Sequence, residues 1–242
     1  MRKVIFHYHF FKNAGTSLDS EFKKNISKKQ WVTQEFPGAI EPNRAQVADW
    51  VTREKNAIVF SSHTAHLPVP KIEGVQCLPV LFIRHPVDRI ASIYTFERKQ
   101  GTDNFGAVLA RNTSLAGYIE CRLALVRDRL CRDFHAHRLC LNYHPIEGDE
   151  QVRAHKALAE LPFVGVVDRF DESMEKLESW LRTEGFAMQL KAVRKNVSRN
   201  LDESLDERLA QIKSEIGAKL YRQLLDANAE DMELYRRACE KL

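Results

Sequence analysis

Short apolar runs at residues 4–9, 57–60, 78–83 and 163–167 alternate along the chain with segments of helical periodicity. Runs this short, rich in β-branched and aromatic residues, read as strands buried on both faces. Strands alternating with helices imply an α/β fold, a parallel sheet with crossover helices. The first unit is the clearest. Val4-Ile5-Phe6-His7-Tyr8-His9 is a strand and residues 10–15 a loop. Leu18, Phe22 and Ile26 then place an apolar stripe on one face of a helix, with Lys23, Lys24, Lys28 and Lys29 solvating its far end. A second helix is expected over 44–55, before the strand that ends at Ser61-Ser62-His63. The run at 78–83 leads into Arg84-His85-Pro86, where proline suits a first helical position, and that helix extends to about Lys99.

Residues 101–137 are weakly periodic and read as short helices and loops, and 139–143 as a strand. A helix over 149–160 precedes the strand at 163–167. An amphipathic helix capped near Asp171 follows, with Met174, Leu177 and Leu181 on one face. Leu205, Leu209, Ile212, Ile216, Leu220 and Leu224 hold one stripe through a helical tail, and Leu234, Tyr235 and Ala238 lie in its last segment. No repeat or linker divides the 242 residues, so a single domain over 1–242 is expected.

Composition narrows the classes. With 44% hydrophobic and 29% charged residues the chain is neither collagen-like nor disordered. A formal charge of +4 suits an anionic ligand but falls short of a dedicated nucleic-acid binder. No apolar stretch approaches the roughly 18 residues needed to cross a bilayer. His7 and His9 interrupt the apolar start and no small-residue cleavage site follows, which favours a core strand over a signal peptide. Five cysteines, an odd number in a chain of this length, point to reduced thiols and a cytoplasmic protein.

Two segments carry chemistry. Lys12-Asn13-Ala14-Gly15-Thr16-Ser17 lies where a strand hands over to a helix, so loop N–H groups and the helix's positive end converge on one point. Gly15 permits close backbone approach, Lys12 adds a point charge, and Thr16 and Ser17 add hydroxyl donors. This is a P-loop-like anion cradle but not a Walker A loop, because the lysine precedes the glycine. Arg84-His85-Pro86-Val87-Asp88-Arg89-Ile90-Ala91-Ser92-Ile93-Tyr94 is again a strand end and a helix start. In a parallel sheet both segments open on the same edge, where the Arg84 guanidinium and the Ser92 hydroxyl can grip one phosphate.

Together these segments resemble the nucleotide-binding segments of sulfotransferases, of the carbohydrate type related to heparan sulfate 2-O-sulfotransferase. His9-Phe10-Phe11-Lys12-Asn13-Ala14-Gly15-Thr16-Ser17-Leu18 resembles that family's 5′-phosphosulfate loop, with Phe11 where proline is usual and Asn13 where threonine is usual. Arg84 to Tyr94 resembles its 3′-phosphate segment. Residues 163–168 with the helix after them are similar to its later strand and helix, and Arg194-Lys195-Asn196-Val197-Ser198 to the segment that closes over the nucleotide. The resemblance implies 3′-phosphoadenosine 5′-phosphosulfate as donor, a hydroxyl acceptor, in family terms a glycan, and no metal. It implies that Lys12 neutralises the leaving oxygen, that Asn13 to Ser17 hold the phosphosulfate, and that Arg84 and Ser92 hold the 3′-phosphate. Lys195, Asn196 and Ser198 would complete the cofactor contacts.

The acceptor needs a base. His63 is the candidate, since it ends a strand at the same edge and titrates near neutrality; the family's strand-terminal Gly-His pair points there too, with Ser62 replacing the glycine. His66, three residues on, is the alternative. His9 reads as a buried histidine orienting the loop, and Glu97 and Glu21 as outside candidates. Cys131, His135, His137 and Cys140 have metal-binding side chains, but their spacing matches no common zinc pattern and they read as packed residues. Two rival functions share the cradle. A magnesium-dependent phosphotransferase would need a carboxylate such as Asp168, and a noncatalytic nucleotide-binding module would tolerate loss of His63.

Overall fold

The computed structural model describes residues 1–191 and 203–242. Its elements are β1 (Arg2–Tyr8), α1 (Gly15–Asn25), β2 (Trp31–Thr33), α2 (Ile40–Arg53), β3 (Val59–Ser62), β4 (Val75–Val80), β5 (Phe82–Ile83) and α3 (Pro86–Lys99). There follow α4 (Phe105–Asn112), α5 (Leu115–Ala124), α6 (Phe134–Leu139), α7 (Glu150–Glu160), β6 (Gly165–Val166), α8 (Phe170–Thr183), α9 (Leu205–Ile216), α10 (Ala218–Asp226) and α11 (Ala229–Lys241). Four strands form a parallel sheet in the order β2-β3-β1-β4, and β5 pairs in parallel with β6 one residue beyond β4. This is the α/β architecture expected from the alternating runs.

Alternation along β1 sorts the core into two faces. Val4, Phe6 and Tyr8 pack with Val47 and Trp50 of α2, Leu139 of α6, Leu158 of α7 and Leu234 of α11. Ile5 faces the other way, toward Leu18 and Phe22 of α1 and Met174, Leu177 and Leu181 of α8. A third cluster joins α3 and α5 to Ile212 and Ile216 of α9 and Leu224 of α10, so the C-terminal helices brace the helix that follows β5. From the central strand the chain passes through α1 to β2 on one side; from β5 it passes through α3 toward β6 on the other. The carboxyl ends of β1 and β4/β5 therefore flank a topological switch point, where crevices form in such sheets.

Several expectations need correction. Residues 139–143 are not a strand: Leu139 ends α6 and Cys140–Asn142 forms a 3₁₀ turn. A short apolar run cannot be told from a buried helical turn by periodicity. The run at 163–167 contributes only Gly165–Val166, and Gly165 is needed there because a Cβ would stand 2.4 Å from the Phe82 ring. Helix α8 starts at Phe170 after Arg169, and Asp171 sits in its first turn, favourably placed for the dipole, instead of capping it. Gly217, at φ 81°, divides the C-terminal stripe into α9 and α10. Helix α2 begins at Ile40, ahead of the expected 44, with Pro42 tolerated in its first turn. Strand β2 was not anticipated.

Candidate functional site

The loop between β1 and α1 is held in an unusual shape. Lys12 (φ 62°) and Ala14 (φ 60°) both adopt the left-handed region, on either side of Asn13. Alternating backbone hands of this kind turn successive N–H groups toward one concavity. Asn13 is the anchor: its N–H donates to Phe10 O, its Nδ2 to Phe11 O, and its Oδ1 lies 2.9 Å from Nε2 of the buried His135 on α6. His135 Nδ1 is in turn 2.9 Å from Asp231 on α11. Ala14 gives α1 no side-chain cap, and the Ser17 and Leu18 N–H groups turn back to Ala14 O. The first-turn N–H groups of Gly15 and Thr16 precede those bonds and have no acceptor within the helix itself. Gly15 has a second role, since a Cβ there would stand 2.0 Å from His9 Cδ2.

Cations collect beside this loop. Lys12 is half-buried with Nζ 4.6 Å from the centre of the Phe96 ring. Burial, together with the Arg84 and Lys99 charges, holds its ammonium below the usual lysine range. Arg84 follows β5 directly; its Nη1 donates to Lys12 O at 3.4 Å and its Nε to Asp88 Oδ2 at 2.6 Å. Asp88 also pairs with Arg208 of α9 at 3.1 Å, and Arg208 with Asp168 at 2.9 Å. Arg84, Asp88, Arg208 and Asp168 thus alternate in sign along one part-buried row. Ser92 is buried in α3 one turn beyond Asp88. Lys195, Asn196 and Ser198 lie outside the described residues.

Parallel pairing of Tyr8 with Ser62 brings the next residues together, and the His9 and His63 rings lie 3.8 Å apart, centre to centre. His63 Nδ1 is 3.0 Å from His9 O. A carbonyl only accepts, so Nδ1 carries the proton and Nε2 the lone pair. Burial and the neighbouring His9 push its pKa below the ordinary histidine value. Glu35 accepts the His63 N–H at 3.1 Å and fixes the turn after β3. His66 differs: it is buried, Nε2 is 3.0 Å from Gly38 O and Nδ1 3.5 Å from Arg138 Nη1, so both ring nitrogens are engaged.

Behind this pair lies a carboxylate that sequence reasoning missed. Asp19 Oδ1 is 2.6 Å from His7 Nδ1, Oδ2 is 3.1 Å from His9 Nδ1, and Ser61 Oγ donates to Oδ1 at 3.0 Å. Burial would raise the Asp19 carboxyl, but His7 and His9 hold it far below the usual range. The signal was present: His7 and His9 alternate onto one face of β1, and Asp19 lies one turn after Gly15 on the helix covering that face. Arg208 and Asp231 were also missed, and they come from remote elements; His135 is packed as expected, and its tie to Asn13 is what the sequence did not show. Glu97 and Glu21 serve the framework: Glu97 binds Tyr118 Oη and Arg122, and Glu21 pairs with Lys24.

Buried histidines make stability depend on pH. His9, His66, His85 and His135 are at most 8% exposed, and burial lowers the pKa of each. Below about pH 6.5 the unfolded chain binds protons these sites refuse, so their contribution is complete above that value and is lost as pH falls through it. Asp133, pushed up to about 6 by burial, opposes this by favouring the folded state below pH 6. Four sites against one predict that Tm falls from pH 7.5 to pH 5, with a slope of up to about 1.4 kcal/mol per pH unit for each histidine. A Tm that stays level or rises toward pH 5 contradicts neutral buried imidazoles.

No family model matches the chain. Among the described residues no helix is long and apolar enough to cross a membrane. An uncharacterized protein of Archaeoglobus fulgidus is 39% identical over 252 residues, an alignment that takes in 99% of this chain and 97% of that protein. With that identity running nearly the full length of both, the chain belongs to the family of this Archaeoglobus fulgidus protein.

Proposed function

We propose that this protein is a cytoplasmic sulfotransferase that moves the sulfuryl group of 3′-phosphoadenosine 5′-phosphosulfate to an acceptor hydroxyl, with a glycan as the acceptor class. The observation that carries the reading is the meeting of two loops: Arg84 Nη1 lies 3.4 Å from Lys12 O, so the segments after β1 and β5 share one mouth. A donor with a charged group at each end of one nucleoside needs two anion sites within a single nucleotide's reach of each other, and adjoining loops allow that. The excess of cations at Lys12, Arg84 and Lys99 favours a polyanion there.

In this reading the P-loop-like stretch from Asn13 to Ser17 holds the phosphosulfate, and Arg84 and Ser92 hold the 3′-phosphate. The acceptor oxygen attacks sulfur in line while its proton passes to His63 Nε2. The S–O bond to the 5′-phosphate breaks, and its electron pair stays on the phosphate oxygen beside Lys12. Products are a sulfate ester and adenosine 3′,5′-bisphosphate. A magnesium-dependent phosphotransferase is less well supported, because Asp168 is committed to Arg208.

Calorimetry tests the reading. Expected is metal-independent binding of adenosine 3′,5′-bisphosphate in preference to ATP. Arg84→Ala should weaken the bisphosphate about 10- to 100-fold, the value of a charged hydrogen bond, and leave a 5′-monophosphate nearly unaffected. ATP preference with magnesium dependence, or equal weakening of both nucleotides, defeats it.

A further inference from the structure

The fold breaks up the group Cys131, His135, His137 and Cys140. Cys131 is buried with α3 and α5, and His135 is committed to Asn13 and Asp231. His137 and Cys140 remain together, three residues apart on one helical face. A third donor comes from another element: Glu150, the first residue of α7. A His137 ring nitrogen, Cys140 Sγ and a Glu150 carboxylate oxygen all lie within 4.8 Å of one another. His137 Nδ1 is shielded from solvent without a hydrogen-bond partner among the described residues, and Glu150 Oε2 stands 3.6 Å from it, just beyond hydrogen-bond reach. Ligands of a tetrahedral ion with bonds near 2.1 Å are about 3.4 Å apart.

We propose that His137, Cys140 and Glu150 bind one divalent transition-metal ion of the zinc class, with the fourth position left to water. The site is independent of the sulfotransferase reading and uses none of its residues. One imidazole, one thiolate and one carboxylate suit zinc, whereas magnesium and calcium require oxygen ligands. Binding forms a metal–sulfur bond and releases the thiol proton to solvent, and Cys140 Sγ gives up its bond to His137 O. Arg129, which pairs with Glu150 at 3.1 Å, is part-exposed and yields its place to the ion. The role is structural. α6 and α7 pack together, and α6 also carries His135, which holds Asn13, and Arg138, which donates to Ala65 O at 2.8 Å. A metal clamp between the two helices stiffens the platform beneath both loops of the candidate site.

Cobalt titration of the reduced, metal-stripped full chain tests this. One equivalent should bind with a thiolate-to-cobalt charge-transfer band and tetrahedral visible bands, displaced by zinc, which should also raise Tm. Cys140→Ser should abolish the charge-transfer band. His137→Asn and Glu150→Gln, at part-exposed positions that leave the core intact, should weaken binding at least about tenfold. No charge-transfer band overturns the proposal and leaves His137 and Glu150 an ion pair only. A band undiminished in His137→Asn and Glu150→Gln also overturns it, because the cobalt then sits on another thiol.

Discussion

Replacing Asp231 by alanine is expected to destabilise the protein by about 3–5 kcal/mol, the cost of breaking one side of a buried charge pair. Asp231 is fully buried and accepts the His135 N–H at 3.0 Å, the Ala136 N–H at 2.8 Å and His135 Nδ1 at 2.9 Å. Alanine leaves those donors without an acceptor. It also removes the anion facing Arg89, a fully buried guanidinium pushed down to about 10 by burial even with Asp231 in place. The loss should appear in urea unfolding as a lower midpoint with an unchanged slope, and in Tm as a fall of roughly 10 °C. Asp231→Asn keeps the shape and one acceptor and should lose less. Since His135 holds Asn13, the alanine variant should also bind nucleotide more weakly below its Tm. Wild-type stability in Asp231→Ala would mean that α11 does not hold the β1–α1 loop.

What could be read in the sequence follows from how local its causes are. Strand β1, the loop and α1 were legible because one apolar run, one glycine and one four-residue stripe occupy consecutive positions. Helix α3 was legible because Pro86 marks its start and its pattern runs out at about Lys99. The 3₁₀ turn at Cys140–Asn142 was not, since the apolar run at 139–143 suits a strand and a buried helical turn equally, and only packing against α6 and α7 decides between them. In the site, Lys12, Arg84 and His63 were legible because each directly follows a strand or its loop. Asp231 and Arg208 were not, because their partners lie 96 and 120 residues away and only the completed fold brings them close. The choice between His63 and His66 likewise needed coordinates: three residues separate them, but only His66 has both ring nitrogens engaged.

His63→Ala is expected to lower sulfuryl transfer about 10²- to 10⁴-fold, the usual range for a lost general base, with bisphosphate affinity unchanged. Three features prepare the ring for the task. Its Nδ1–H is tied to His9 O, which directs the lone pair to Nε2. Burial and the His9 ring keep its pKa below the ordinary value, so the base is neutral at pH 7 and activity should fall only on the acid side of about pH 6.5. The third is Glu35, which holds the His63 N–H and so fixes where the ring stands. His9 is the competitor, because Asp19 orients it as it would orient a base, and its ring lies against Gly15 at the start of α1. Asp19→Asn separates the two. It removes the carboxylate that fixes His9 but leaves the bond from His63 to His9 O in place. If His63 is the base, Asp19→Asn should lose much less turnover than His63→Ala and keep the acid limb of the pH profile. A greater loss in Asp19→Asn, with that limb displaced, would transfer the role to His9.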